Sequence, residues 1–531
     1  MSRSPFASLP EETVQAITEY SHQSLRSNSP ITASEKVESI NETDVTATLD
    51  SDTKDVEVVI VDWDGPNDPE NQESHWPQRR KWAAALTVSA FTFISPVSSS
   101  MVAPAASQIA DAFGIHESFK TSLNVSIFVL AYAVGPLFLG PLCEIFGRVW
   151  VLRGSNIFFL AWNLGCGFAQ SEGQLIAFRF LAGIGGSAPL ACGGAVLGDM
   201  WTPEERGQAI AIYSLAPLLG PVIGPIAGAW IAELSTWRWV FWSTSIAAGV
   251  IQIFGFFALR ETFAPVLLEQ KAKRIRLQKD VENGPVQTVR TVHQTSERRD
   301  YKDFIFRSLV RPFILFAQEP IIQLLGLYLA FVYGVIYLVL TTIPGIYTNI
   351  YHEKVGIVGL HYASLGIGLT IATQINARLL DKVYVYLKNR NGGLGEPEFR
   401  LPCVMPGTLL LPIGLLIQGW AAQEHVHWIV TDIGFAIIGA GIILTFQGMQ
   451  TYIIDAFTNY AASALAAVSC LRSLAGFGFP LFAPAMYNAL GYGVGNTILA
   501  AVAFVVGCPA IWVFWIWGER IRALSKHAKK K

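Results

Sequence analysis

The sequence predicts an all-α membrane protein whose twelve transmembrane helices form two halves of six. Three observations predict this fold: an apolar composition, twelve long apolar segments, and one long hydrophilic break after the sixth of them. Of the 531 residues, 52% are hydrophobic and 15% are charged. The mean hydropathy is +0.39. Such a chain is too apolar for a water-soluble fold and too long for one globular core.

Each apolar segment is long enough to be a spanning helix, which needs roughly 20 residues to cross about 30 Å of hydrocarbon. The predicted spans are residues 83–104, 122–142, 151–169, 174–198, 207–231, 240–259, 321–342, 357–377, 404–422, 428–449, 461–484 and 495–517. An even number of spans places both termini on the same side of the lipid bilayer.

The distribution of Lys and Arg predicts which side that is. Among the loops between spans, only Lys120, Arg238 and Lys354 fall on the side opposite the termini. Because positive residues concentrate in cytosolic loops, we expect both termini and the central loop to be cytosolic. The plasma membrane is the expected location, with the vacuolar membrane as the alternative. The net charge of -2 suggests no nucleic-acid partner.

The hydrophilic segments divide the chain into five parts. They are a disordered cytosolic tail (1–78), an N-terminal six-helix half (79–259), a cytosolic central loop (260–311), a C-terminal six-helix half (312–517) and a basic cytosolic tail (518–531). Within the central loop, residues 267–279 combine basic residues with spaced Leu and Ile. This pattern fits an amphipathic helix on the inner leaflet and, equally, a solvated basic linker.

The six cysteines lie in or at the edges of predicted spans, and none lies well inside an extracytosolic loop. Structural disulfides form in oxidising compartments. We therefore expect no disulfide.

A short charged hinge, GPLCEIFGR, joins the second and third spans between Gly140 and Arg148. Its glycines permit a tight turn. Glu144 can face a helix N-terminus, and Arg148 can reach a nearby acid such as Asp199. Such contacts could lock one conformation and break in another. The alternative is that Arg148 is only a positive anchor on the cytosolic side.

A weaker copy of the hinge, ARLLDKVY, follows the eighth span at residues 377–384. Aligning Asp381 with Glu144 places corresponding acids in the two halves. In the same way, Asp199 ends the fourth span and Asp455 ends the tenth. These correspondences predict an internal duplication.

Among the ionisable side chains within predicted spans, Arg179, Asp432 and Arg472 are the candidates for function. A buried arginine costs at least about 2.5 kcal/mol unless it faces a cavity or a partner. An arginine in a span is therefore a candidate functional residue. For Arg179 the alternative is a structural role, in which it hydrogen-bonds neighbouring helices. Asp432 could carry a proton or merely pair with a basic group.

Arg472 lies about 20 Å along its helix, close to mid-membrane. We expect it to line a central cavity, because transporters bind substrates near the midplane between repeats. Tyr333 and Tyr337 could offer that cavity an aromatic surface, or they could be packing residues. In the fifth span, GPVIGPIAG places Gly220, Gly224 and Gly228 on one smooth helical face, with Pro221 and Pro225 bending the helix.

From about residue 61 to its C-terminus, the chain resembles the major facilitator superfamily and, within it, the twelve-spanner drug:proton antiporters of fungi. The superfamily hinge, G-x-L-x-D-x-x-G-R-[KR], occurs here with Glu144 in place of Asp and Val149 in place of the second basic residue. Its matching positions are Gly140, Leu142, Glu144, Gly147 and Arg148. The narrower resemblance is carried by the stretches 61–82, 311–320, 327–338, 400–420 and 451–473.

The resemblance implies the major facilitator fold and a proton-coupled exporter of small amphipathic organic compounds, such as drugs, toxins or the organism's own metabolites. It implicates Arg179 in proton coupling. It also makes GPVIGPIAG the antiporter motif, a tight seal between the two halves. The expected partners are the small-molecule substrate and protons, with no cofactor and with the monomer as the working unit.

Other interpretations of the sequence remain open. A polyamine or nutrient transporter would share the fold, although the antiporter motif argues against import. A membrane enzyme is disfavoured because the nine histidines form no metal-type cluster in a span, and no G-x-x-x-x-G-K-[ST] phosphate loop occurs. A non-transporting sensor built on the same fold is the remaining alternative.

Overall fold

The computed structural model describes residues 58–63, 76–201, 206–281, 288–291, 301–457, 460–525 and 528. The first half of this part contains β1 (Val58–Val61), α1 (Gln78–Ser100), α2 (Ala106–Phe113), α3 (Ser118–Phe146), α4 (Arg148–Gly167), α5 (Glu172–Gly186), α6 (Ala188–Met200), α7 (Arg206–Leu234) and α8 (Arg238–Ala258). The remainder contains α9 (Ala264–Val281), β2 (Thr288–Thr291), α10 (Tyr301–Gln318), α11 (Pro320–Asn349), α12 (Val355–Arg390), α13 (Met405–Gln423), α14 (Trp428–Ala456) and α15 (Ala461–Leu524). Two short 3-10 helices lie at Ala103–Ala105 and Pro397–Cys403.

The helices account for the twelve predicted spans. In the described residues, 10 helical segments are long and apolar enough to cross a membrane. One of them is two spans, because the backbone of α15 breaks at Gly491, where φ is 77°. A glycine is needed there since other residues rarely adopt a positive φ. The 20-residue helix α4 supplies the predicted third span.

The fourth span is divided into α5 and α6 at Ser187. Pro189 lies in the first turn of α6. A proline cannot donate a backbone hydrogen bond, so it is tolerated in the first turn of a helix but interrupts a continuing one. Helices α5 and α6 are therefore consecutive parts of one span.

The two ends of the helical bundle are distinguished by the segments they carry. We call the end where α1 begins and α9 attaches the linker end, and the opposite end the far end. The halves contact each other through α7 against α12 and through α3 against α15. These contacts bring the fifth span beside the eighth and the second beside the eleventh.

The predicted disordered tail is partly folded, which corrects that expectation. Val58–Val61 pairs in parallel with Thr288–Thr291 of the central loop. The buried Val61 packs on Ala272 and Ile275 of α9. The rest of the predicted tail, residues 1–57 and 64–75, lies outside the described residues.

A helix does form at residues 267–279, within α9. Its side chains at Leu268 and Ala272 are fully buried by protein. The Lys271 ammonium donates to the Asp62 carbonyl at 2.9 Å. Part of the apolar surface predicted to meet lipid is therefore covered by β1.

Two predicted domain boundaries shift. Helix α10 begins at Tyr301, inside the predicted central loop, and α15 continues to Leu524, inside the predicted basic tail. Arg522 of that extension forms a buried ion pair with Glu398, whose two oxygens accept from its Nε and Nη2 at 2.8 Å each. This long-range pair explains why the helix continues beyond the apolar segment.

The expectation of no disulfide is wrong in this structure. Cys143 of α3 and Cys192 of α6 are joined in a disulfide, with their Cα atoms 6.8 Å apart. The two residues are 49 positions apart in sequence. They meet only because α3 packs against α6, which the loop positions used in the sequence argument could not reveal.

Candidate functional site

At the linker end of the first half, the hinge arginine contacts the predicted acid. Arg148 Nε lies 3.4 Å from Asp199 Oδ2. The Thr262 hydroxyl donates to the same oxygen at 3.3 Å. The Arg148 guanidinium also lies over the Phe263 ring, 4.4 Å from its centroid. Arg148 therefore joins the third span to the end of the fourth and to the segment after the sixth.

The carboxylate at the helix N-terminus is Glu261, and not Glu144 as we expected. Glu261 accepts the backbone N–H groups of Arg148 at 2.8 Å and Val149 at 3.1 Å. Glu144 is exposed, and no hydrogen bond or ion pair involves it in the described residues. A carboxylate is stabilised at a helix N-terminus by the free N–H groups and the helix dipole. The sequence signal for Glu261 is its position, because it is the first acidic residue after the sixth predicted span.

Of the hinge glycines, Gly147 is the one that the turn requires. Its φ is 98°, and an added Cβ would lie 2.4 Å from Glu261 Oε2. Gly140 has open space where a Cβ would be. Leu142 is half-buried on α3. The tight geometry of the hinge is therefore concentrated at its end, beside Glu261.

The second half carries a corresponding ion-pair group. Arg400 bridges the two acids, with Nη1 2.7 Å from Asp381 and Nε 3.0 Å from Asp455. Its guanidinium lies over the Tyr384 ring at 4.3 Å. We missed Arg400 as a site residue, although it belongs to a stretch that carries the family resemblance. Its place before the ninth span matches that of Arg148 at the start of the third.

Arg179 is fully enclosed in the first half. Its Nη2 donates to the Ser99 and Val125 carbonyls at 3.1 Å each, and its Nη1 donates to the Ser98 carbonyl at 3.4 Å. The Phe128 ring lies 5.2 Å from the guanidinium carbon. No carboxylate pairs with Arg179 in the described residues. The contacts tie the fourth span to the first and second, which agrees with the structural alternative.

Arg472 lies between aromatic rings of two other helices. Its guanidinium carbon is 4.7 Å from the Tyr333 ring centroid and 5.1 Å from that of Phe446. Nη2 donates to Ser469 at 3.1 Å, whereas Nε is buried with no hydrogen-bond partner. The structure brings Arg472 and Tyr333 together as predicted. Tyr337 is buried beside Tyr333, with the two ring centroids 5.1 Å apart.

Asp432 pairs with a histidine that the sequence argument did not identify. Its Oδ2 lies 2.9 Å from Nδ1 of His361, and its Oδ1 accepts from the Tyr347 hydroxyl at 2.6 Å. The other ring nitrogen of His361 lies 2.7 Å from Oε2 of Glu353. Asp432 lies far along the chain from Glu353 and His361, so no local motif indicated this group.

The glycine face of the fifth span packs within the first half, where the family resemblance implied a seal between halves. A Cβ added to Gly228 would lie 2.2 Å from the Met101 carbonyl oxygen. Corresponding positions on Gly220 and Gly224 would lie 2.7 Å from Pro96 Cβ and from the Val97 carbonyl oxygen. Pro221 and Pro225 lie inside the same continuous helix, α7. The glycines therefore let α7 approach α1 closely.

Another face of α7 makes the contact between halves. A Cβ added to Gly359 of α12 would lie 2.5 Å from Ala229 Cβ, and one on Gly366 would lie 2.6 Å from Val222 Cγ1. Nearer the far end, Glu233 accepts the backbone N–H of Gly356. The contact between halves thus involves the fifth span, on a face beside the glycine face.

The fold and these paired sites define the class of protein. Residues 88–480 match the Major Facilitator Superfamily. The chain belongs to that superfamily and is of its fungal drug and metabolite exporter type. It is therefore a multi-pass membrane transporter of small molecules and not an enzyme.

Particular relatives narrow the comparison. The chain is 50% identical to the efflux pump vrtL of Penicillium aethiopicum over 90% of this chain and 93% of that protein. It is 42% identical to the MFS-type transporter penM of Penicillium rubens, over 88% of this chain and 90% of the relative. Among solved structures, the xylose transporter XylE from E. coli in a partially occluded inward open conformation matches with a TM-score of 0.62. That match has 15% identity and covers 83% of this chain and 98% of XylE, so it shows the fold alone.

Proposed function

We propose that the protein is a proton-coupled exporter of small amphipathic organic compounds that works by alternating access of its two halves. The observation that carries the proposal is the pair of matched ion-pair groups at the linker end. Arg148 with Asp199 in the first half corresponds to Arg400 with Asp381 and Asp455 in the second. Duplicated units that move against each other are the basis of alternating access.

In this conformation both ion-pair groups are formed within their own halves, while the halves contact each other at the far end through α7 and α12. Opening the far end requires the Glu233 to Gly356 hydrogen bond and the Ala229 to Gly359 packing to break. The ion-pair groups at the linker end can then change partners as the halves tilt. The charged hinge residues are thereby assigned to gating.

The central binding site is assigned to Arg472 and the aromatic rings around it. Its guanidinium stacks between Tyr333 and Phe446 and has an unused buried donor at Nε. An aromatic and cationic surface of this kind suits a flat organic compound with a polar or anionic group. The proton is assigned to Asp432 and not to Arg179, because a guanidinium stays protonated in proteins and Nη1 and Nη2 of Arg179 already bind carbonyl groups.

Export is supported by the relatives named as efflux pumps and by the antiporter motif of the fifth span. The positive charge of the linker end supports its assignment to the cytosol. That orientation makes both termini cytosolic and the far end external. We assign the protein to the plasma membrane, with the monomer as the working unit.

The test of this function is flux in vesicles containing the purified protein. An imposed pH gradient should drive uphill movement of a fluorescent amphipathic dye, and a protonophore should abolish it. Direction is measured in cells of a deletion strain, which should retain more of the dye than the parent strain. Lower retention on deletion would contradict export and favour import. Dye flux that is the same with and without the imposed pH gradient would contradict proton coupling.

A further inference from the structure

The far end of the second half contains a histidine whose two ring nitrogens each contact a carboxylate. Nδ1 of His361 lies 2.9 Å from Asp432 Oδ2, and Nε2 lies 2.7 Å from Glu353 Oε2. The His361 side chain is 6% exposed. We call these three residues the His361 cluster.

The number of protons in the cluster follows from its two short contacts. Each contact joins a ring nitrogen to a carboxylate oxygen, so each needs a proton between the two atoms. A neutral imidazole carries only one N–H, and the second proton must lie on the other nitrogen or on a carboxyl group. In either case the three groups hold two protons and have a net charge of -1. Loss of one proton leaves two lone pairs facing each other across one contact.

The described surroundings of the cluster supply no other cation to its carboxylates. From α11, the Tyr347 hydroxyl donates to Asp432, and its ring stacks on the imidazole with centroids 3.7 Å apart. Among the described residues, Asp432 and Glu353 form ion pairs with His361 alone, and the adjacent Lys354 pairs with neither. The Trp428 ring covers the imidazole from α14. The ring of the neighbouring titratable His427 packs on Trp428.

A second tyrosine faces the cluster from the segment before α12. Burial raises the pKa of the Tyr351 hydroxyl, and the nearby Asp432 and Glu353 raise it further, while a hydrogen bond with Thr431 opposes them. The hydroxyl therefore stays neutral and donates to the Val426 carbonyl at 2.8 Å. Within the His361 cluster itself, the imidazole is the group whose ordinary pKa lies near physiological pH.

The cluster is connected to the contact between halves by a short segment. Glu353, which binds His361, is three residues before Gly356, which donates its backbone N–H to Glu233 of the other half. The following turns of α12 pack Gly359 and Gly366 on α7. Movement of Glu353 away from His361 therefore acts directly on the beginning of α12, where the halves meet.

We infer that the His361 cluster is a proton-binding site that holds the far-end contact between the halves closed while it is protonated, and weakens that contact when it loses the proton. The inference rests on the proposed function for its direction. In an exporter, a proton entering from outside closes the far end and returns the transporter to the state that takes up substrate from the cytosol. Proton binding and gate closure then occur at one place.

The test measures opening of the far end by cysteine labelling. Val222→Cys places a smaller side chain at a buried position of α7, beneath the contact with Gly366. A membrane-impermeant maleimide is added from the far side at external pH between about 5.5 and 8. Ser118→Cys, at an exposed position of the same end, corrects for the pH dependence of the reagent. The protein without added cysteine gives the background.

The expected result is that corrected labelling of Val222→Cys rises with pH. Because one proton is released, the ratio of open to closed protein rises at most about tenfold for each pH unit above the midpoint. Adding His361→Asn should abolish this rise. Labelling that is flat with pH before any cluster substitution, or a rise that persists with His361→Asn, would overturn the inference.

Glu353→Gln provides a second and more specific test. The amide N–H can donate to a neutral Nε2, so this contact no longer needs a titratable proton. Corrected labelling should remain low up to pH 8, where the protein with native Glu353 is labelled strongly. Labelling that rises as before in this variant would contradict the proton count. Size-exclusion profiles identify any variant that fails to fold.

Failure of this inference is distinguishable from failure of the proposed function. If the labelling changes with pH but vesicles show no proton-driven dye flux, the proton site stands and the proposed coupling is wrong. If proton-driven flux is normal and labelling does not respond to pH, the proton couples elsewhere and the His361 cluster is not the gate.

Discussion

Replacing Gly228 by alanine tests whether the glycine face of α7 packs within the first half or seals the two halves. The new Cβ would lie 2.2 Å from the Met101 carbonyl oxygen and 2.8 Å from Met101 Cγ. Nonbonded atoms pack at about 3.5 Å, so α1 and α7 would have to separate by roughly 1 Å. The oxygen belongs to the backbone and cannot rotate away.

The magnitude follows from the cost of overpacking a tight interior, which is about 1–3 kcal/mol. Thermal unfolding of the purified protein in detergent, followed by tryptophan fluorescence, measures the effect. A decrease in Tm of about 1 °C is expected for each kcal/mol lost, because the entropy of unfolding grows with chain length. Gly249→Ala is the matched control, because nothing lies within 4 Å of its Cβ position in the spanning helix α8. The control should leave Tm unchanged or slightly higher.

The refuting result is equally clear. If Gly228→Ala has the Tm of the parent protein but lets protons leak through sealed vesicles, the glycine face is the seal between halves. A lower Tm without a specific leak supports packing of α7 on α1. The comparison therefore separates the structural arrangement from the role that the family resemblance implied.

Three further predictions concern charged groups. Arg472→Ala should abolish export while leaving the protein folded and correctly sorted, because a mid-membrane guanidinium between aromatic rings serves the substrate cavity; unchanged dye efflux would return Arg472 to a structural role. Arg400→Ala should slow transport about as much as Arg148→Ala if the ion-pair groups are equivalent parts of one gate, and vesicle flux in which only one variant is impaired would contradict that equivalence. Glu398→Gln should lower the Tm, because it removes the carboxylate that accepts from Arg522 Nε and Nη2 in a buried ion pair; an unchanged Tm would show that this pair contributes little.

The spans were predictable because each is a local property of the chain. A stretch of about 20 apolar residues meets the requirement for crossing hydrocarbon wherever the rest of the protein lies. The same holds for the contact of Arg148 with Asp199, since both residues lie at span ends on the same side. The ion-pair group of the second half was predictable in outline, because Asp381 and Asp455 occupy positions corresponding to those of acids in the first half.

The predictions that failed, and the site residues that were missed, depend on contacts between side chains. Glu261 contacts Arg148, Arg400 contacts Asp455 and His361 contacts Asp432, and each of these partners is distant in sequence. Glu144 matched the family pattern but is exposed, while Glu261 occupies the helix N-terminus. A motif specifies residue types in order along the chain, whereas a hydrogen bond depends on which atoms the packing brings together.

Local composition was therefore enough to predict twelve spans in two halves, and the resemblance of the hinge and of several longer stretches indicated the superfamily. Only the packed structure decided which face of α7 meets the other half, that Cys143 meets Cys192, and that Asp432 binds His361. The physical reason is that hydropathy depends on each segment separately, whereas these contacts depend on the rotation and crossing of helices around one another.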